Sequence, residues 1–445
     1  MMWVSVLAGS LGAAGAHATS LDPDGGGRHA IRRTAPCLSA AARLRVAARL
    51  RANVEALRRR GLLPPGRATE PAVARAVAMS WPVVGATGLT APGVHGIGAF
   101  VDHDATYPDH LRDYSCGGRS YDVSSGYNHQ GTDIFSWPFS WYRMDRDEII
   151  VLAAAPGTIV GKDDGNYDRS CGFGSTPWNA VYVQHGDGST AWYGHLKSGS
   201  LTTKDVGETV AAGEYLGVVG SSGSSTGPHL HLELYDSADR LVDPYSGPCN
   251  DTIGTSWWAN QREYYDSAIN LIAIHSAPPE FPECPEPEVP NLQDVFAPGD
   301  DAYFAAYYRD QRANESSTYT VVNAAGTEVW RWDHSSPAEY YEASYWYWMR
   351  RLPTDGVHGK WWYRVTYLGR EYEHEFWVGD APTPTPTGDV TPTPTAGGSV
   401  PSSGQGSGLT LVALMGLALA GLIRRHRGRR CVPARAAVHY RAAEM

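Results

Sequence analysis

The sequence predicts an all-β protein made of two successive β modules, and three observations carry that prediction. Between about Trp81 and Pro279 the chain alternates short β-rich runs with Gly, Asp and Pro, a density of short strands that argues for an antiparallel unit. Within it, Gly186-Asp187-Gly188 joins two runs as a hairpin turn. From about Pro290 to Asp380 a second strand-rich stretch sets Tyr372, His374 and Phe376 in alternation with Glu371, Glu373 and Glu375, as a half-buried strand does.

Taken in chain order, residues 1–18 are apolar and small and end in Ala16-His17-Ala18, the small-x-small form of a signal-peptidase site, although no Lys or Arg precedes the run. Residues 19–79 are basic, with about 12 Arg against 2 Glu between Arg28 and Arg75. There Leu44, Ala47, Leu50, Val54 and Leu57 recur at spacings of three and four, which predicts an amphipathic helix over 39–60, ended by Gly61 and Pro64-Pro65. It reads as a solvated linker or pro-segment helix, with contact to an anionic membrane or a partner as the alternative. The first β module occupies 80–280, with strands expected at 148–160, 180–185, 190–196, 214–220 and 229–234. The second, at 290–380, is expected to be an immunoglobulin-like β-sandwich, with 361–367 and 371–378 flanking the turn at Leu368-Gly369-Arg370. Its aromatic run Tyr345-Trp346-Tyr347-Trp348 reads as core and sheet-face packing rather than a sugar-stacking platform.

Beyond the modules, 381–408 is a Pro/Thr/Gly/Ser spacer that cannot bury a core. The apolar run 409–423 would span roughly 22 Å as a helix, short of the ~30 Å hydrocarbon layer, and is closed by an Arg cluster. A short transmembrane or sorting helix is expected there, with 424–445 as a basic cytoplasmic tail and everything before it outside.

The formal charge of −10 hides this segregation. Once the basic ends are set aside, residues 76–423 hold about 42 acidic against 18 basic residues, which excludes nucleic-acid binding through the modules. Of six cysteines, Cys37 and Cys431 lie in the basic ends. Cys116, Cys171, Cys249 and Cys284 lie in the acidic middle without Cys-x-x-Cys spacing, so two disulfides and an exported protein are expected. Sequence order suggests the pairs Cys116 with Cys171 and Cys249 with Cys284.

Three separated motifs carry the chemistry: His129-Gln130-Gly131-Thr132-Asp133, Tyr193-Gly194-His195 and Gly227-Pro228-His229-Leu230-His231. In a strand, His229 and His231 share one face while Leu230 and Leu232 turn to the core. Zinc accepts imidazole and carboxylate ligands, and catalytic sites keep three protein ligands with one open position. No His-Glu-x-x-His helix is present to supply a carboxylate base. The isolated His103, His110, His185, His334 and His358 read as ordinary surface or satisfied polar residues.

The run from Gly220 to Glu233, with His129-x-Gly131-x-Asp133 and Tyr193-Gly194-His195 in the same order, resembles the signature of the lysostaphin-type, LytM-like peptidoglycan metallo-endopeptidases over roughly residues 80–280. The resemblance implies a LytM-like antiparallel β catalytic domain, and the sandwich expected at 290–380 lies outside it. It makes His129, Asp133 and His231 the ligands of Zn2+, and His195 and His229 the unligated catalytic pair, with the division of labour between those two left open. It also implies that bacterial peptidoglycan peptides are the substrate of an exported, monomeric enzyme in the cell envelope. Leu232 stands where Phe is usual in the family, and 135–148 and 161–178 look like enlarged loops that wall the substrate groove. Two rivals are a non-catalytic regulator of a cell-wall hydrolase, which would have lost ligands or catalytic histidines that this chain retains, and a wall-binding module.

Overall fold

The computed structural model describes residues 19–29, 37–64, 77–174 and 176–380. The expected leader 1–18, the spacer 381–408, the apolar run 409–423 and the tail 424–445 lie outside the described residues. Among the described residues, no helix is long and apolar enough to cross a membrane.

The protein is all-β. The first unit is an antiparallel sheet in the order Thr209–Val210, Gly157–Asp163, Ala180–His185, Thr190–Gly194, His229–Tyr235, Thr132–Ser136 and His95–Ala99, with Leu241–Val242 added to His229–Tyr235. A three-stranded sheet of Tyr215–Val218, Ile149–Leu152 and Val83–Gly85 shares its core, in which Ile134, Ile149, Val151, Val181, Leu216 and Leu230 are buried together. Alternation does the sorting along His229–Tyr235: Leu230, Leu232 and Leu234 enter this core, and the histidines take the other face.

The second unit packs two sheets around a core of Ile272, Phe304, Trp348, Tyr363 and Phe376. One runs Thr19–Ser20, Glu328–Ser335, Ser316–Val322, Gly359–Tyr367, Arg370–Val378, Val295–Phe296, and the other Ala268–His275, Asp301–Arg312, Tyr340–Arg351, Gly25–Arg28. The strand Ala268–His275 lies ahead of the expected boundary at 280 yet pairs along its length with Asp301–Arg312. Two further strands come from the basic leader. Gly25–Arg28 runs antiparallel to Tyr340–Arg351, where a Cβ on Gly25 would stand 2.1 Å from the Tyr347 hydroxyl oxygen, so only glycine lets the backbone lie flat on that ring. In the aromatic run, Trp346 and Trp348 are buried and Tyr345 stacks on Tyr307, in keeping with packing.

The helix Ala40–Arg59 starts at Ser39, whose Oγ accepts from Ala42 N at 3.2 Å, and ends with Arg58 and Arg59 in the last turn, where cations suit the helix dipole. It is no solvated linker. Leu50, Val54 and Leu57 are buried with Val160, Tyr182 and Trp192 of the first unit, each worth about 1.5–3 kcal/mol on the transfer scale. Leu44 is 69% exposed, so the apolar stripe is narrower than its periodicity suggests. Asn53 Nδ2 donates to Val160 O at 2.8 Å. Gly161 makes room for the helix, since a Cβ there would lie 2.6 Å from Leu50 Cδ2.

One loop expectation and the cysteine pairing are corrected. The segment after Phe135 does not wall a groove: Phe135, Trp137 and Phe139 are buried with Ala305, Tyr307 and Ala343 of the second unit, and Trp137 Nε1 donates to Tyr308 O at 2.9 Å. Large apolar rings in a loop are here the mortar between two sheets. The disulfides are Cys116–Cys249 and Cys171–Cys284, not pairs of sequence neighbours. Cys249 N donates to Tyr114 O at 2.9 Å, so the chain returns beside Cys116 only beyond Leu241–Val242, the last strand of the first sheet in sequence.

Candidate metal centre

Register assembles the site. Three adjacent strands pair His231 with Gly194 on one side and with Asp133 on the other, which brings the third motif between the other two. Close approach explains Gly131: a Cβ there would lie 2.7 Å from Leu232 O and 2.8 Å from His231 Nε2. His195 follows Gly194 with φ 63, an uncommon left-handed backbone for a non-glycine residue at the strand end.

Outer partners fix the rings. The Nδ1–H of His129 donates to Phe100 O at 2.7 Å, and the Nε2–H of His231 donates to Glu233 Oε1 at 2.7 Å. These donations leave lone pairs on His129 Nε2 and His231 Nδ1, which face each other at 3.3 Å and face Asp133 Oδ1 at 3.2 and 2.6 Å. Three electron-pair donors so close repel unless a cation lies among them. Two of the three separations match the ~3.3 Å edge of a tetrahedron with metal–ligand bonds of ~2.0 Å. The donor set therefore fits a zinc ion, held by two imidazoles and a carboxylate.

The electrostatics agree. Burial opposes ionisation of Asp133, but His129, His229 and His231 around it hold its carboxyl well below the usual range. Burial likewise opposes protonation of His129, yet the Asp133 charge beside it raises it to about 9. The negative charge that retains a proton here is equally available to a metal.

His195 and His229 sit next to this triad with ring centroids 4.4 Å apart. His195 is fully buried; its Nδ1–H donates to Ser222 O at 2.6 Å, and its Nε2 has no hydrogen-bond partner. Burial, then the neighbouring His229, lowers its pKa. His229 donates through Nδ1 to Gly227 O at 2.9 Å, with Nε2 3.7 Å from Asp133 Oδ1; burial works against its protonation, but Asp133 raises it overall. All five residues expected from sequence are thus brought together.

Four further residues at the site were given no role from sequence. Glu233 lies two positions after His231 on the same strand face, a signal that strand alternation offers. It also accepts from Tyr235 Oη at 2.7 Å and pairs with Arg43 of the helix. Trp178, 2% exposed, stands edge-on to His195. Tyr121 stacks on His129, and its hydroxyl is 3.3 Å from Cys37 Sγ. Cys37 itself lies against His231, and nothing in its local sequence announces it.

Residues 128–244 match Peptidase family M23. An 83-residue stretch is 41% identical to the DD-carboxypeptidase/endopeptidase Mpg of Neisseria meningitidis serogroup B and of Neisseria gonorrhoeae, covering 19% of this chain. The chain spans only 16% of the length of those relatives. Among solved structures, the catalytic domain of lysostaphin from Staphylococcus simulans is 25% identical, over 34% of this chain and 89% of that one, with a TM-score of 0.22. The catalytic domain of the prophage-encoded M23 protein EnpA from Enterococcus faecalis is 27% identical, over 33% and 95%, with a TM-score of 0.20. The chain carries, over residues 128–244, a domain of peptidase family M23.

Proposed function

We propose that this protein is an exported zinc metallo-endopeptidase that hydrolyses peptide bonds in the stem peptides or cross-bridges of bacterial peptidoglycan. The observation that carries the reading is the convergence of three lone pairs, from His129, Asp133 and His231, beside two further imidazoles. A zinc ion held by those three residues supplies Lewis-acid polarisation of the scissile carbonyl and acidifies water near neutral pH. His195 is the proton acceptor: its Nδ1–H is committed to Ser222 O, so the free Nε2 lone pair takes the proton of the attacking water and returns it to the leaving amine. His229, whose ring lies 4.4 Å from that of His195, is the group left to stabilise, as an imidazolium, the oxyanion that develops on the carbonyl.

Retention of all five residues speaks against a regulator without catalysis. The endopeptidase named in the Neisseria relatives and the two disulfides, which suit an oxidising compartment, support the same reading. The test is release of new amino termini from purified peptidoglycan by the full chain and by its Cys37→Ser form, with and without chelator. Hydrolysis that is lost on chelation, restored by zinc and abolished by His231→Ala is expected. If neither form releases amino termini, or if His231→Ala cleaves as well as its parent, the reading is wrong.

A further inference from the structure

The metal centre receives one more donor, from outside the M23 domain. Cys37 Sγ lies 3.5 Å from His231 Nδ1. Its sulfur joins His129, Asp133 and His231 in one set of four ligand atoms, and His195 and His229 in another, all within 4.8 Å of one another in each set. The side chain is 4% exposed, and it is the free cysteine among the described residues, where the other four are paired. Facing it is the second observation: His195, fully buried, belongs to the sulfur's own set, and with its Nδ1 committed to Ser222 O its Nε2 has no hydrogen-bond partner.

The segments around Cys37 are anchored on both sides. Ahead of it, Thr19–Ser20 and Gly25–Arg28 are strands in the two sheets of the second unit. After it, the helix Ala40–Arg59 is fixed to the first unit by Leu50, by Asn53 and by the ion pair of Arg49 with Asp163. Arg43 on that helix pairs with Glu233, the residue that orients His231. The thiol is thereby held over the metal ligands by structure on either side of it.

We propose that Cys37 is a fourth protein ligand of the metal site, and that the anchored segments 19–29 and 37–64 keep the peptidase latent by holding it there. This rests on the zinc-endopeptidase reading above. Zinc with four protein ligands is closed, whereas catalysis needs the fourth position for water or substrate. A thiolate is the soft donor that zinc favours among the available side chains. On ligation the S–H proton leaves to solvent and a sulfur–metal bond forms, with no change of oxidation state. Activation then consists of withdrawing or blocking the thiol.

The test uses the full chain loaded with Co2+ or Zn2+. A sulfur-to-cobalt charge-transfer band in the near ultraviolet is expected in the parent and absent in Cys37→Ser. In the unmodified parent, a thiol-specific disulfide reagent should react slowly with metal bound and fast after chelation, a measurement that does not depend on any variant folding. Peptidoglycan hydrolysis should rise roughly ten-fold or more in Cys37→Ser or after mercurial blocking, since the competent form is then no longer a minor one. A cobalt complex without the sulfur band, or a thiol equally reactive with and without metal, overturns the ligand assignment. If instead neither form takes up metal or cleaves peptidoglycan, the zinc-peptidase reading itself falls, and this proposal with it.

Discussion

Replacing Glu233 by Gln tests whether the partner of a metal ligand governs the site. Glu233 is fully buried and accepts from the His231 Nε2–H and Tyr235 Oη while pairing with Arg43. Burial alone would push its carboxyl up, yet Arg43 and His231 bring it down to about 2 from an ordinary 4.5, a preference for the ionised form worth about 3 kcal/mol. The sign follows: this stabilisation is present above pH 4.5 and is lost as pH falls through about 2. Glu233→Gln keeps the shape and removes the charge, leaving the mostly buried guanidinium of Arg43 uncompensated; breaking such a pair costs about 3–5 kcal/mol. Loss of a metal ligand's carboxylate partner typically weakens metal binding about 10–100-fold. Zinc affinity would be read by competition with a chromophoric chelator, and stability by urea denaturation. Adding Arg43→Met to Glu233→Gln should recover most of the stability and none of the zinc affinity, because only the first effect arises from the orphaned cation. Unchanged zinc affinity in Glu233→Gln would refute the claim that this carboxylate sets the basicity and orientation of His231.

Gly131→Ala should cost most of the zinc affinity with little change in overall secondary structure, because its Cβ meets Leu232 O and the His231 ring at under 3 Å; tight zinc binding in that variant, read by the same competition, would contradict the packing argument. His275 is buried, with Nδ1–H given to Pro290 O at 2.6 Å and Nε2 accepting from Tyr307 Oη at 3.0 Å, and burial lowers it from 6.5 to about 4. Its contribution is therefore full above pH 6.5 and lost as pH falls toward 4, about 2.5 kcal/mol at pH ~4.5, and urea melts of His275→Gln should lack that share of the acid sensitivity. The Cys171–Cys284 bridge closes a separation of 113 residues, so the double Ser variant should lose about 5 kcal/mol by the chain-entropy relation, read as a lower denaturation midpoint.

What the sequence disclosed was local. Ser39, the three-and-four spacing and Gly61 are signals written within one element, and the helix Ala40–Arg59 matches them. The five site residues were legible because each motif is short and because the i, i+2 rule places His229 and His231 together without any tertiary information. Glu233 obeys that rule as well and closes the run from Gly220, but nothing in the strand pattern says that its carboxylate is buried against His231. The cysteine pairing and the place of Cys37 belong to another class. Cys37 and His231 are separated by 194 positions, and their contact depends on the leader segment packing against the first unit, which no spacing encodes. The rings after Phe135 were read as groove walls because exposure was assumed for a loop, whereas the junction of two sheets buries them.

The charge segregation along the chain takes on a different meaning once the helix is in place. A basic leader lies ahead of an acidic body, and three of its arginines face that body: Arg43 meets Glu233, Arg49 meets Asp163, and Arg51 meets Asp239. These pairs are unequal. Arg51 and Asp239 are both more than half exposed, a setting in which an ion pair contributes ~0–1 kcal/mol and is screened by salt. Affinity for the body must come instead from Leu50, Val54 and Leu57, with Leu50 seated over Gly161. The arginines reinforce that register, since an offset by one turn would leave Arg43 buried without its carboxylate. Opposite charge on leader and body thus acts as an alignment device, and the residue it aligns, six positions before Arg43, is Cys37.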